Sequence, residues 1–127
     1  MIKIRIEGET PAKKNVNKFN SRTRTVYKDA KYTKWHTDAM LQLHAQICQM
    51  EPMPNMIDTP VQIFLCFYHD DKRRRDSDNQ TSSIMDLLQD CKVLADDNWQ
   101  IVRQIHIFNF YTTENAHCII QIENISE

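Results

Sequence analysis

The spacing of apolar residues changes along this chain in an order that few folds can accommodate. Ile2, Ile4 and Ile6 alternate with Lys3, Arg5 and Glu7, a period of two that marks a strand with one buried face. Gly8, the only glycine, closes it. From Thr33 to about Met50 the period lengthens. Trp35, Ala39, Leu43 and Ile47 share one face with Met40 beside them, which predicts a helix capped by Thr33 and ended by Pro52 and Pro54. Val61 to Tyr68 (VQIFLCFY) is β-branched and aromatic, as a largely buried strand requires. Ile84, Leu87, Leu88 and Cys91 then take the i, i+3, i+4, i+7 positions of a second helix over 78–91, with Asp78 as its cap. A strand follows from Ile101 to Tyr111 and a last one from His117 to Ile122, with Glu114 and Asn115 in a hairpin turn between them. The order β-α-β-α-β-β places the chain in the α+β class.

A length of 127 residues has room for one domain and one core, spanning 1–127. With 41% hydrophobic and 26% charged residues the chain is too apolar to be disordered. The apolar run at Val61 is far too short for a membrane span, and the alternating N-terminus is unlike a secretory leader. The expected compartment is therefore the cytoplasm. Cys48, Cys66, Cys91 and Cys118 contain no CxxC pair and read as reduced thiols rather than disulfides or zinc ligands.

Net charge is −1, yet its distribution is lopsided. Residues 1–35 carry ten Lys/Arg against three acids, net +7; the other 92 carry six against fourteen, net −8. Such asymmetry suggests a polyanion-binding arm beside an acidic site, though a solvated basic face is the plain alternative. The arm is the stretch 9–32, where Lys13, Lys14, Lys18, Arg22 and Arg24 are interleaved with Asn15, Asn17, Phe19 and Tyr27. It has little apolar periodicity and reads as a long functional loop, with a short strand or hairpin at Arg22 to Tyr27. Phe19, Tyr27 and Tyr32 can stack on unpaired bases or simply pack the loop.

Chemistry concentrates between Arg73 and Asp97 (RRRDSDNQTSSIMDLLQDCKVLADD). Asp76 and Asp78 are two apart at the junction of a turn and a helix, and Asp96 and Asp97 follow that helix. A strand returning beside the first is expected to bring the second pair close to the first. Converging carboxylates need a counter-charge, and oxygen-only ligation favours Mg²⁺ or Mn²⁺. Arg73, Arg74 and Arg75 beside the acids suit an anionic substrate. The plain alternative keeps Asp78 as a helix cap, Asp96 and Asp97 as turn residues, and RRRD as a salt-bridged turn. Asp86 and Asp90 read as a solvated helix face. His69 has no second histidine at metal spacing. Trp99 reads as a core or interface residue ahead of a stacking one.

The pattern Arg74-Arg75-Asp76-x-Asp78-Asn79, a helix, then Asp96-Asp97 resembles the RusA family of Holliday-junction resolvases. Pro11 with the Asn/Lys-rich stretch 15–20, and Thr25 to Tyr32 before the first helix, are similar to the family as well, so the likeness covers most of the chain. The resemblance implies a mixed sheet and a homodimeric, Mg²⁺-dependent endodeoxyribonuclease of phage or prophage type. It would act on four-way junctions and other branched DNA in recombination and repair, with no organic cofactor and no membrane. Asp76, Asp78 and Asp97 would be the catalytic metal ligands with Asp96 alongside, and the arm lysines and arginines with Arg73, Arg74 and Arg75 would contact DNA. One departure stands out: Ser82 occupies the position, six after Asp76, where the family commonly has a lysine. Lys72, Arg75 or Lys92 are the substitutes to look for. Without one, the alternative is a branched-DNA-binding protein of the same fold with weak or lost catalysis. A third reading is an interaction protein whose acids bind no metal.

Overall fold

A computed structural model describes residues 1–12 and 17–126, with side chains left undescribed at 17, 18 and 26–28. Strand β1 (Ile2–Glu7) buries Ile4 and Ile6 completely. It ends where Gly8 turns at φ 95° and donates its N–H to the Ala116 carbonyl at 2.8 Å. That left-handed conformation is one a Cβ disfavours. Part of the basic arm, expected to be a loop, is regular. Strands β2 (Asn17–Asn20) and β3 (Thr25–Lys28) form an antiparallel two-stranded ribbon that, among the described residues, pairs with no other strand. Asn20 organises the turn, its Oδ1 accepting from the Arg22 and Thr23 N–H groups at 3.0 and 3.3 Å.

Helix α1 (Ala30–Cys48) begins earlier than expected. The cap is Asp29, not Thr33: Asp29 Oδ1 accepts from the Lys31 N–H at 2.9 Å, while Thr33 lies inside the first turn with its hydroxyl donating to the Asp29 carbonyl. A carboxylate at the positive helix end outcompetes a hydroxyl further in. Ala39 and Leu43 are buried against the sheet, with Trp35, Met40 and Ile47 packed beside them.

Strand β4 (Val61–His69) alternates buried Val61, Ile63, Leu65 and Phe67 with half-exposed neighbours. Helix α2 (Ser77–Asp90) follows, and its cap is Asp76 rather than Asp78. Asp78 falls in the first turn, where negative charge also complements the helix dipole. Ile84, Leu87 and Leu88 are fully buried, each such side chain contributing roughly 1.5–3 kcal/mol. Strand β5 (Val102–Tyr111) lies parallel to β4, so β4–α2–β5 is a crossover unit.

Strand β6 (His117–Asn124) departs from the expected hairpin. It does not pair with β5. It inserts between β1 and β4, antiparallel to both, and the four-stranded sheet runs β1-β6-β4-β5. Burial explains the choice: Cys118, Ile120 and Ile122 are buried, as a central strand demands, whereas most of β5 is exposed at the sheet edge. The turn at Glu114 and Asn115 therefore carries the chain across the end of β4. Among the described residues no helix is long and apolar enough to cross a membrane. All four cysteines are free thiols, exposed at Cys48 and buried at Cys91 and Cys118. Burial pushes the Cys91 thiol up to about 11 and raises Cys118 further.

Candidate active site

The crossover unit decides where each acidic pair sits. Asp76 caps α2 at the carboxyl end of β4, with Asp78 two residues into the helix; both are exposed. Asn109 of β5 holds this helix end, its Nδ2 donating to Ser77 Oγ at 2.9 Å. Helix α2 then runs 14 residues, about 21 Å at 1.5 Å per residue, back to the amino ends of the parallel strands. There Ile57 and Leu94 form a bridge, and the Val61 N–H donates to the Ile101 carbonyl at 2.8 Å. Asp96 and Asp97 lie in the loop between, at the far end of α2 from Asp76 and Asp78.

The expected meeting of the two pairs thus does not occur within one chain. Among the described residues no group of three or more His, Cys, Asp or Glu side chains is close enough to hold a metal. The returning strand is the reason: it starts where α2 ends, and a parallel strand starts at the end opposite to the carboxyl terminus of its neighbour.

The two members of the second pair differ. Asp96 Oδ1 accepts from the Asp97 N–H at 2.8 Å and its Oδ2 accepts from Asn98 Nδ2 at 3.0 Å. These bonds, Asn98 first, hold its carboxyl below the usual range. Asp96 therefore shapes the turn, while Asp97 is exposed beside it.

A second set of polar side chains converges behind Asp76. His69 Nδ1 lies 3.0 Å from the Glu9 carboxylate and its Nε2 lies 2.9 Å from Asn109 Oδ1. Gln80 Nε2 donates to Glu9 Oε2 at 2.7 Å and to the Thr10 carbonyl at 2.8 Å, and Ser83 Oγ donates to the Pro11 carbonyl at 2.6 Å. These bonds fasten the base of the arm to the buried face of α2. His69 is thus a structural bridge. Its role was invisible in the sequence because its partners come from β1's end and β5, 60 and 40 residues away. A cavity of about 540 Å³ opens beside this network, lined by Glu9, Lys31, Trp35, Arg74, Asp76 and Gln80 among others.

The arginine run divides in two. Arg75 is committed: its Nη1 and Nη2 donate to the two oxygens of Asp71 at 2.6 and 3.1 Å, and its Nε is 3.6 Å from Glu9. This bidentate grip holds the Asp71 carboxyl well below the usual range and raises the guanidinium. Arg73 and Arg74 remain exposed. On the ribbon, Arg22 and Arg24 are exposed, Arg24 at φ 55° in the turn. Lys13 and Lys14 lie outside the described residues, as does the side chain of Lys18.

Ser82 is exposed one turn beyond Asp78 and donates to its carbonyl at 3.0 Å. None of the substitute cations stands beside it. Lys72 sits over the Tyr111 ring at 5.1 Å, Arg75 is occupied, and Lys92 is past the other end of α2. Trp99 is 71% exposed with Arg103 over its ring, so it is no core residue. Tyr32 packs with Trp35 and His36, and burial first, then Asp86 and Asp90, raises its hydroxyl to about 12. Asp90 also accepts from or pairs with His36 at 2.8 Å, tying α2 to α1 rather than facing solvent alone.

A basic ribbon and the exposed Arg73 and Arg74 next to an acidic helix end have the charge pattern that suits a polyanionic partner. The family comparison is more specific: the sequence model described as Endodeoxyribonuclease RusA matches residues 8–123. The chain belongs to the RusA family, whose members are Holliday-junction-resolving endonucleases. No match was found among curated proteins.

Proposed function

We propose that this chain is a Mg²⁺-dependent endodeoxyribonuclease that cuts four-way junctions and related branched DNA in recombination and repair. The observation that carries the reading is the pairing of family membership with two exposed carboxylate sites at opposite ends of one crossover unit. Among the described residues the acids of one chain do not gather into a metal site, so in this reading the working enzyme is a homodimer in which Asp76 and Asp78 of one protomer meet Asp97 of the other. Asp96 supports Asp97 through the turn that it shapes. A hard divalent cation suits this oxygen-only set; when bound it activates water and offsets charge on the phosphodiester. The chain's own groups do the rest. Arg73 and Arg74 draw the phosphate backbone to the acidic end, the ribbon extends that contact through Arg22, Arg24 and Lys18 with Lys13 and Lys14, and the Glu9–His69–Asn109–Ser77 chain fixes the helix end that presents Asp76 and Asp78. Two sites related by a two-fold axis match the paired cuts that a symmetric junction needs.

The test is nicking of a synthetic four-way junction with Mg²⁺ or Mn²⁺, ended by EDTA. Asp76→Asn and Asp97→Asn should each lower cleavage by at least about 100-fold, more than loss of an outer-shell partner costs, and leave junction binding intact or tighter. Cleavage retained by both variants would refute the assignment. Ser82 favours one second reading, a junction binder with weakened catalysis. A large gain in cleavage by Ser82→Lys supports a slowed nuclease; an inactive protein that gains nothing supports the binder.

A further inference from the structure

Two buried polar atoms near the acidic helix end have no hydrogen-bond partner among the described residues: Trp35 Nε1 on α1 and Gln80 Oε1 on α2. Gln80 is only 2% exposed, and its amide nitrogen fixes its orientation. Nε2 donates to Glu9 Oε2 at 2.7 Å and to the Thr10 carbonyl at 2.8 Å, two acceptors that would repel the oxygen if the amide turned over. The carbonyl oxygen is thereby left without a donor. Trp35 is half-buried, its ring centre 6.0 Å from that of Tyr32 and 6.4 Å from that of His36. Stranded groups of this kind cost free energy that a ligand with the opposite groups recovers. Both residues line the cavity of about 540 Å³ beside Asp76. Small-molecule sites typically span roughly 300–1,000 Å³. The charged lining differs in exposure: Glu9 is half-buried, whereas Lys31, Arg74 and Asp76 are exposed. Lys31 stands one helical turn before Trp35, so the two share a face of α1.

We infer that this cavity takes one unpaired nucleobase of the branched DNA, with Trp35 donating to its edge and Gln80 accepting from it; this rests on the branched-DNA reading above. Three observations argue for the occupant. A nucleobase is a neutral ring whose edges carry both acceptors and donors, the complement of one stranded N–H and one stranded carbonyl. The half-buried Glu9 opposes a phosphate in the interior, and an indole N–H opposes a cation. The exposed Lys31 and Arg74, from two different elements, instead suit the backbone phosphates on either side of the base. Asp76 lines the same cavity, so a base held there belongs to a nucleotide at the acidic helix end. A branch point is where a base leaves its stack at least cost, since pairing is already interrupted there. Trp35 and Gln80 touch the base and not the reacting phosphate. They set which nucleotide is presented to Asp76, and so where the strand is cut.

Fluorescence anisotropy on synthetic four-way junctions in EDTA, where nothing is cut, tests this. In one set of junctions each branch-point nucleotide in turn is unpaired by a mismatch. In a second set the same nucleotide is abasic, so the two sets differ in the base alone. At one position wild type should bind the abasic junction at least about 5-fold more weakly, roughly the worth of one hydrogen bond, and elsewhere the sets should match. Trp35→Phe keeps an aromatic ring and removes the N–H. With an unchanged circular dichroism spectrum, it should lose about 5-fold on the mismatched junction at that position and nothing on its abasic counterpart. Lys31→Met, which removes a phosphate contact, should weaken both alike and lower the salt slope by about 0.9. Wild type that binds both sets equally at every position would overturn the proposal, whatever the variants do. So would a Trp35→Phe loss of the same size with and without the base, which would make the N–H a structural group. In both cases tight junction binding by wild type leaves the branched-DNA reading standing. Wild type that binds a junction no better than a plain duplex removes that reading, and this one with it.

Discussion

At the residue scale, carboxylates of similar sequence context have been given different work by their hydrogen bonds. Asp71 is locked to Arg75, Asp96 to its own turn, and Asp76 caps a helix without a side-chain capping bond. The Asp71 pair makes a pH prediction. Its carboxyl is depressed in the folded chain, chiefly by the Arg75 hydrogen bonds and then by the Arg73 N–H. Its contribution is therefore fully present above the unfolded carboxyl value, about 3.9, and is lost as pH falls below it. Thermal melting of wild type and Asp71→Asn should differ at pH 6 and converge as the pH drops below about 3. Curves that stay parallel over this range would show that the pair does not couple to folding. The sequence could show that Arg75 stands beside acids. It could not show that Arg75 is spent on Asp71 and Glu9, because Glu9 reaches the site only through the fold.

At the element scale, what periodicity reports is which face of an element is buried. On that basis the strands at Ile2, Val61, Ile101 and His117 and both helices were legible, with α1 misjudged at its start because Asp29 caps better than Thr33. Neighbour relations were not legible. Nothing local distinguishes a β5–β6 hairpin from a β6 that crosses to the centre, since the deciding quantity is how much apolar surface the finished sheet covers. The β2–β3 ribbon was only half visible, because its strands lack an apolar face. An isolated two-stranded ribbon is marginal in water. A duplex lying against it would supply what the sheet does not. Replacing Arg22 by Gln and Arg24 by Asn, which tolerates φ 55°, should reduce the slope of log affinity against log salt by about 0.9 for each phosphate that is no longer neutralised. Fluorescence anisotropy on junctions of unrelated sequence would show the same weakening on each. An unchanged slope would remove the ribbon from the interface.

At the scale of the whole molecule, the acids were legible as residues but not as a site. The arithmetic was available: a helix of this length displaces the chain by about 21 Å, and a parallel return strand delivers Asp97 to the far end. The expectation of a local meeting ignored that displacement, and the structure corrects it. In the proposed homodimer a two-fold partner would resolve the separation and make each active site a joint product of two chains. The most direct test mixes two inactive proteins. Asp76→Asn and Asp97→Asn chains, unfolded together and refolded at equal amounts, form mixed dimers in which one site carries both substitutions and the other carries neither. Half of the dimers are mixed and each has one intact site, so cleavage of a four-way junction should recover to about a quarter of wild type, against almost none for either protein alone. Absence of recovery, with mixed dimers shown to be present, would contradict the account.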